Sequence, residues 1–438
     1  MLETLKNAVR IKDIRNKLIF TFCMMVVIRM GCQLPVPGVN RSYFQQWFAQ
    51  NSNDAFNFFS AFTGGSFEKM SIFALSITPY ITSSIIMQLM TIAIPALEEM
   101  HKDGEDGRKK IAAITRYVTV ALALIESVAM TVGFGNSGLI PDMNFLKGLT
   151  VVVTLTAGST VLMWLGERIT ERGVGNGISI VLMINILSSI PADINGLFEM
   201  FVKGKTLAHG LLAALIILAV IVVTIVLVII LNDAIRKIPV QYAKKMQGRK
   251  MVGGQSTFIP LKVNTAGVIP VIFASSLMSI PNMIVAFTGA NVGTGIGGTL
   301  IGMLSQNNWF NFNHPLYSVG LLLYIVLNVF FAYFYTSITF NPIEVADNMK
   351  KQGGFIPGIR PGKPTQEYLE KVLNYLVFIG VAGLIIVVII PIFFNGVFGA
   401  QVSFGGTSII IIVGVILETL KQIESQMLVR NYKGFLSN

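Results

Sequence analysis

The chain has 438 residues, of which 53% are hydrophobic and 13% are charged. Ordinary soluble domains hold about 45–50% apolar and about 25% charged residues, so water could not solvate the surface of this chain. The 30 Phe and 20 Met residues also exclude a disordered coil, and the composition predicts a multi-pass membrane protein.

Ten apolar segments are each long enough to cross a hydrocarbon core of about 30 Å as a helix. They cover 18–34, 71–94, 112–133, 148–167, 174–190, 208–231, 266–287, 317–338, 373–394 and 407–425. An even number of spans places both termini on the same side of the membrane. The sequence therefore predicts an all-α fold of ten transmembrane helices.

The basic residues set the orientation of these spans. Of the 33 Lys and Arg residues, 27 lie on the termini and on every second connection, 5 lie on the opposite connections, and Arg29 lies inside the first span. This bias predicts cytoplasmic N and C termini. It also accounts for most of the net charge of +11 without a special partner.

The spans divide evenly around a short external linker at 191–207. Five spans in the N-terminal half, 1–190, and five in the C-terminal half, 208–438, would be inserted in opposite orientations. Such inverted repeats are common in proteins that pass something through the membrane. The second half carries two basic cytoplasmic connections, 232–265 and 339–372, and long connections rich in Gly and Pro are more often functional than accidental.

The sequence predicts no catalytic residues, no metal site and no cofactor. His101, His209 and His314 lie on separate connections, and no HExxH or GxSxG motif occurs. Lys205 lies in a Gly-Lys-Thr triplet, but Glu199 stands where a phosphate loop requires glycine. Any energy source must therefore come from a partner.

Two ionisable residues lie within apolar spans. Arg29 is close to the outer end of the first span, where its long side chain can reach the interface, so it has either a structural or a functional role. Glu126 is central in the third span. It would be the coupling site of an ion-coupled secondary transporter, or else a hydrogen-bonded residue beside a water-filled cavity.

The second span and the segment before it have unusual compositions. The span contains six polar or helix-bending residues: Thr78, Pro79, Thr82, Ser83, Ser84 and Gln88. They fit either close helix packing or a wall that faces water. The preceding segment, 56–70, is too short to span and too apolar for water, so we expect it to fold back into the protein as a hinged external lid or a static packing loop.

Seven stretches of this sequence resemble the SecY family, the channel subunits of the bacterial protein-export translocon. They are LPVPGV at 34–39, SIFALSITPYITSSIIMQL at 71–89, GEDGRKKIAAITRY at 104–117, MWLGERITERGVGNGISI at 163–180, YAKKMQGRKMVGGQSTFIPLKVNTAGVIPVIFASS at 242–276, FNPIEVADNMKKQGGFIPGIRPG at 340–362 and FGGTSIIII at 404–412. The stretches occur in the family's order and the resemblance covers nearly the whole chain.

The resemblance implies a central pore between the two halves and a role for several residues. It implies a pore ring of Ile77, Ile81, Ile178, Leu182, Ile272 and Ile411, in which Leu182 replaces a frequent isoleucine. It implies a plug at about 57–67 that includes Phe58, Phe59, Phe62, Gly64 and Gly65. It implies a lateral gate of spans two and three against seven and eight, with Thr78, Gln88, Asn176 and Ser275 at or near it.

The resemblance also implies partners and a location. Arg249, Lys250 and Arg360 match positions that dock the motor ATPase SecA or the translating ribosome, including its RNA. The small membrane subunits SecE and usually SecG, signal peptides, unfolded substrate chains and membrane lipid complete the expected partners. The expected location is the bacterial cytoplasmic membrane, and the family assigns Glu126 no role.

Overall fold

A computed structural model describes residues 9–42, 44–46, 60, 63–136, 140, 144–203, 207–242, 245–247, 250–252, 256–288, 296–305, 308–310, 315–398 and 406–435. The helices are α1 (Lys12–Gly31), α2 (Thr78–Ala93), α3 (Pro95–Lys102), α4 (Glu105–Asn136), α5 (Phe145–Arg172), α6 (Gly177–Phe201), α7 (Leu207–Asp233), α8 (Ile269–Thr288), α9 (Ile296–Leu304), α10 (Ser318–Thr339), α11 (Pro342–Lys351), α12 (Lys363–Phe398) and α13 (Gly406–Phe435). The strands are β1 (Ile235–Tyr242), β2 (Lys245–Gln247), β3 (Lys250–Val252), β4 (Ser256–Lys262) and β5 (Gly354–Phe355).

Six helices within the described ranges are long and apolar enough to cross a membrane. They are Glu105–Gly135, Phe145–Arg172, Gly177–Phe201, His209–Asp233, Pro315–Lys351 and Lys363–Ile390. The number rises to seven if α2 and α3, which meet at a bend of 99°, form one broken span. The structure therefore agrees with a mostly helical multi-pass protein, whereas the count of ten spans stays a prediction.

The predicted second span begins later than its hydropathy indicates. Residues 71–77 form turns, and α2 starts only at Thr78. Ser76 has a left-handed backbone with φ of 53°, which a continuous helix cannot contain. Pro79 follows in the first turn of α2, where its missing N–H costs no hydrogen bond.

Residues 63–77, termed the stem, lie in the protein interior although they form no helix longer than one turn. Phe67 of the stem shares an apolar cluster with Phe44 and Phe134, whose rings meet edge to face at a centroid distance of 5.0 Å. The stem amide of Ile72 donates to the carbonyl of Leu34 at 2.9 Å. Side-chain packing and backbone pairing thus fix the stem between α1, α4 and α5.

The two long connections of the second half meet in one small antiparallel sheet with strand order β4-β1-β5. Strands β1 and β4 come from the first connection, and β5 comes from the second, pairing Gln241 with Phe355. The strands correct the all-α prediction for these connections. Ile238 and Val240 alternate with exposed residues along β1, and they bury one face of the sheet against α11 and α12.

Close packing of α5 on the stem predicts that Gly158→Ala destabilises the protein. A Cβ at Gly158 would overlap the carbonyl oxygen of Ile72, which is backbone and cannot turn aside. We expect a loss of about 2 kcal/mol, the usual cost of overpacking, measured as a lower midpoint of thermal unfolding in detergent.

The matched control is Gly196→Ala, because a Cβ at this helical glycine meets nothing within 4 Å. It should leave the midpoint unchanged or raise it slightly, since alanine favours a helix over glycine. Equal midpoints for the two variants would contradict the close contact between α5 and the stem.

Candidate functional site

One aliphatic cluster unites all six residues of the expected pore ring. Four of the six come from the first part of the chain: Ile77, Ile81, Ile178 and Leu182. Ile272 of α8 and Ile411 of α13 join them in the same cluster. Side chains that lie far apart in the sequence therefore belong to one apolar cluster, and burying apolar surface in this way stabilises the packing of the helices that carry them.

The start of α6 positions two of these residues. The Asn176 side-chain oxygen accepts hydrogen bonds from the backbone N–H groups of Ile178 at 3.1 Å and Ser179 at 3.4 Å. This cap fixes the first turn of α6, so Ile178 and Leu182, four residues apart, lie on the same helix face. Gly177 allows α6 to approach α5 there, because a Cβ would overlap the Gly166 carbonyl.

The start of α2 positions two others. The Ile77 carbonyl accepts from the amides of Tyr80 and Ile81, each at 3.1 Å, so Ile77 and Ile81 also lie one turn apart. Ile77 is fully buried and Ile81 is partly buried. The break between stem and helix thus directs both side chains into the aliphatic cluster.

The four expected gate residues do not form one contact group in the structure. Thr78 begins α2, and its carbonyl accepts from Thr82 Oγ1 at 3.1 Å. Gln88 lies further along α2, and its buried Oε1 has no hydrogen-bond partner among the described residues. Ser275 is buried and lies 3.3 Å from the Tyr324 hydroxyl, so it joins α8 to α10. Asn176 serves as the cap of α6.

The helices that would form the gate are nevertheless neighbours. Helix α4 contacts both α2 and α8, and α8 contacts α10. Ile85 of α2 packs against the apolar cluster that contains Phe273 of α8. Apolar contacts, rather than ion pairs, therefore occupy this seam in the described part of the chain.

The stem makes a polar contact that the sequence did not predict. The Gly64 carbonyl accepts from both terminal nitrogens of Arg29 at 3.4 Å and from Ser188 Oγ at 3.3 Å. Gly64 and Gly65 have φ of 63° and 74°, conformations that glycine adopts without strain. The other expected plug residues, Phe58, Phe59 and Phe62, lie outside the described residues.

Two of the three expected docking residues lie outside the three-stranded sheet, in a loop and in a separate hairpin. Arg360 is exposed in the loop between β5 and α12, where its carbonyl accepts from Thr365 Oγ1 at 2.8 Å. Lys250 begins β3, which pairs with β2 as a hairpin. Arg249 lies outside the described residues.

Glu126 lies within α4, where its Oε2 atom is buried without a hydrogen-bond partner among the described residues. The same residues contain no group of three or more His, Cys, Asp or Glu that could hold a metal ion. Neither observation indicates an ion-binding site at Glu126 in the described part of the chain.

Together the apolar helices and the aliphatic cluster, whose members come from helices near both ends of the chain, define a multi-pass helical membrane protein. A family model described as SecY matches residues 71–420. The chain belongs to the SecY family.

Relatives match over their full length. The chain is 46% identical over 450 residues to the protein translocase subunit SecY of Streptomyces galbus, with 100% of each covered. It is 45% identical over 447 residues to the protein translocase subunit SecY of Bacillus subtilis (strain 168), again with 100% of each covered.

Solved structures share the fold at low sequence identity. A protein conducting channel superposes with a TM-score of 0.60 and 17% identity, covering 94% of this chain and 92% of that one. Sec61 in the canine ribosome-channel complex from the endoplasmic reticulum has a TM-score of 0.58, 16% identity and the same coverage.

The shared sheet predicts that one substitution loosens both long connections. Val240→Asp would place a charge in the fully buried face of β1, at a cost of several kcal/mol unless the carboxyl is neutralised. We expect faster amide hydrogen exchange in 235–242 and also in 354–356.

Gln241→Asp is the matched control, because Gln241 is the next residue along β1 and is exposed. It should leave exchange in both segments within twofold of the unsubstituted protein. If Val240→Asp loosened only the first connection, the two connections would not form one unit.

Proposed function

We propose that this protein is the protein-conducting channel of a bacterial translocon, which carries secretory polypeptides across the cytoplasmic membrane and releases membrane proteins sideways into it. The observation that carries this conclusion is the full-length match, at 46% identity, to a protein translocase subunit SecY. The chain is a channel subunit and not itself an enzyme.

The aliphatic cluster is the pore seal. Ile77, Ile81, Ile178, Leu182, Ile272 and Ile411 form a ring that closes around an extended chain. Aliphatic side chains suit this task, because they contact any sequence without binding it strongly, and an apolar constriction excludes water when it is empty. Leu182 preserves the volume of an isoleucine, so it leaves the seal intact.

Opening separates the two halves, 1–190 and 208–438, about the linker 191–207, in which α6 continues to Phe201. A signal peptide is an apolar helix, and it enters the seam where α2 and α4 face α8 and α10. The apolar contact of Ile85 there supports this route, because an apolar helix replaces it without exposing polar groups. The plug, about 57–67, then leaves the pore, and apolar segments of the substrate pass sideways into lipid.

Partners supply the energy and dock at the cytoplasmic side, where both termini lie. SecA or a translating ribosome binds the two basic connections, with Arg249, Lys250 and Arg360 as contacts. An exposed arginine suits carboxylate and phosphate groups through its planar fork of donors. SecE and SecG are the small membrane subunits that complete the complex.

An ion-coupled transporter is not retained as an alternative. The similar proteins are translocase subunits and protein-conducting channels, and the buried Oε2 of Glu126 has no hydrogen-bond partner among the described residues.

A photo-crosslinking probe at Ile81 should join a translocating chain. We expect a strong adduct with a secretory precursor stalled by SecA in proteoliposomes, because the ring would surround the chain. The adduct should disappear without ATP or without a signal sequence. The matched control is a probe at Leu215, which lies on the lipid-facing surface of α7 with 68% exposure. Equal labelling at both positions would refute the pore assignment.

Charge reversal at Arg360 should impair motor-driven transport. We expect Arg360→Glu to lower SecA-dependent transport at least tenfold, because an acidic side chain repels the carboxylate or phosphate that arginine would bind. Lys363→Glu, three residues away at the start of α12, makes the same charge change and should lower transport less than twofold. Equal losses would indicate a general charge effect and not a specific contact.

A further inference from the structure

Two helices hold one carbonyl of the stem. Arg29 of α1 donates from Nη1 and Nη2 to the Gly64 oxygen at 3.4 Å each, and Ser188 of α6 lies within 3.3 Å of the same oxygen. A carbonyl oxygen has two lone pairs, so the three donors share it and do not each form a full hydrogen bond. We call the contact of Arg29 and Ser188 with Gly64 the latch.

The guanidinium of Arg29 donates hydrogen bonds to this carbonyl and forms no ion pair with a carboxylate among the described residues. Within the described ranges no carboxylate lies within 4.0 Å of the guanidinium, although other surface arginines, such as Arg116 and Arg168, have acidic partners. Arg29 is half-buried within a helix of apolar residues. Hydrogen bonds from a charged donor are stronger than neutral ones of the same length, and among the described residues the Gly64 carbonyl is the acceptor for this cation.

The latch is closely packed. A Cβ on Gly64 would lie 2.7 Å from Arg29 Nη1 and 2.8 Å from both the Asn185 carbonyl oxygen and Ser188 Oγ. Glycine is therefore required for the approach as well as for the backbone conformation. The contact is a fitted site and not a chance encounter of long side chains.

Helix α6 also holds the other end of the stem. Asn185, one turn before Ser188, donates from Nδ2 to Ser76 Oγ at 3.1 Å. Ser76 directly precedes Ile77, which caps the helix that carries Ile81. One turn of α6 therefore contacts the stem at two places: at Gly64 through Ser188, and at Ser76, next to the aliphatic cluster, through Asn185.

We propose that Arg29 and Ser188 are positioning residues that latch the stem in the closed channel. This inference rests on the proposed channel function. The donors favour the closed state because they bind Gly64 only when the stem is in place. The latch is reversible, since water that enters an open pore can solvate the guanidinium. Ser188 contributes less than Arg29, because its hydroxyl also donates to the Asn185 carbonyl at 2.7 Å.

The test uses the full chain in its membrane complex, with the variants Arg29→Gln, Arg29→Lys, Ser188→Ala and the double variant Arg29→Gln with Ser188→Ala. The matched control is Lys69→Gln, which removes a positive charge from the stem itself. Lys69 binds Gln33 at 3.3 Å and not Gly64. Two quantities are measured without any substrate: ion conductance of the reconstituted complex and amide hydrogen exchange of residues 63–77.

We expect Arg29→Gln to raise the open fraction about tenfold, equivalent to about 1.4 kcal/mol. Arg29→Lys should have an intermediate effect, because it keeps the charge but loses the fork of donors. Ser188→Ala should have a smaller effect, and the double variant should fall short of the product of the two single effects, since both act on one carbonyl. Lys69→Gln should match the unsubstituted channel.

Transport of a precursor with a defective signal sequence separates the latch from the proposed function. Arg29→Gln should transport this precursor better than the unsubstituted channel does. Conductance and exchange that equal the Lys69→Gln values in both Arg29→Gln and Ser188→Ala would overturn the latch, even if normal precursors are transported. Should Arg29→Gln fail to fold, Ser188→Ala and Arg29→Lys decide the question by the same two measurements. Raised conductance and exchange without transport by any channel would support the latch and refute the proposed function.

Discussion

Buried backbone N–H and C=O groups must find partners inside the protein, and the buried stem meets that constraint without a long helix. Its amides and carbonyls bond to one another, to the Leu34–Val36 segment and to side chains of α1 and α6. The partners come from separate elements, so the stem has its observed course only while α1, α5 and α6 stay together. The positions of Ile77 and Ile81 depend on the backbone turn at the end of the stem.

The aliphatic cluster complements this polar arrangement. Its members come from helices near both ends of the chain, and apolar contacts do not fix one partner as hydrogen bonds do. A layer of this kind can open and close again without leaving a polar group unpaired. The described structure thus places directional bonds around the stem and non-directional contacts in the aliphatic cluster.

The sequence predicted some of these features and not others, for physical reasons. Hydropathy indicated the apolar spans, but it extended the second span through 71–77, since it carries no information on the left-handed backbone at Ser76. The all-α prediction missed β1, although Ile238 and Val240 alternate with the period of two that is typical of a strand; the pairing of β1 with β5 joins distant segments and leaves no local signal. Arg29 was conspicuous as a charge in an apolar span, but nothing in the sequence points to Ser188 as its companion.

The ring residues came from family resemblance, and the structure placed them in one cluster. The gate residues were predicted from the same resemblance. In the structure, however, Ser275 lies within hydrogen-bond distance of Tyr324 on the neighbouring helix α10, on the same side of the seam, and Asn176 caps α6. A family match identifies positions, whereas the partner of each side chain depends on the local geometry.

The strand that joins the two long connections also has a mechanical consequence. The connection from α7 to α8 carries β1, and the connection from α10 to α12 carries β5. Because β5 pairs with β1 and the sheet packs on α11 and α12, this one sheet joins the ends of all four helices. A force applied to either connection is therefore transmitted through the sheet to the ends of all four helices.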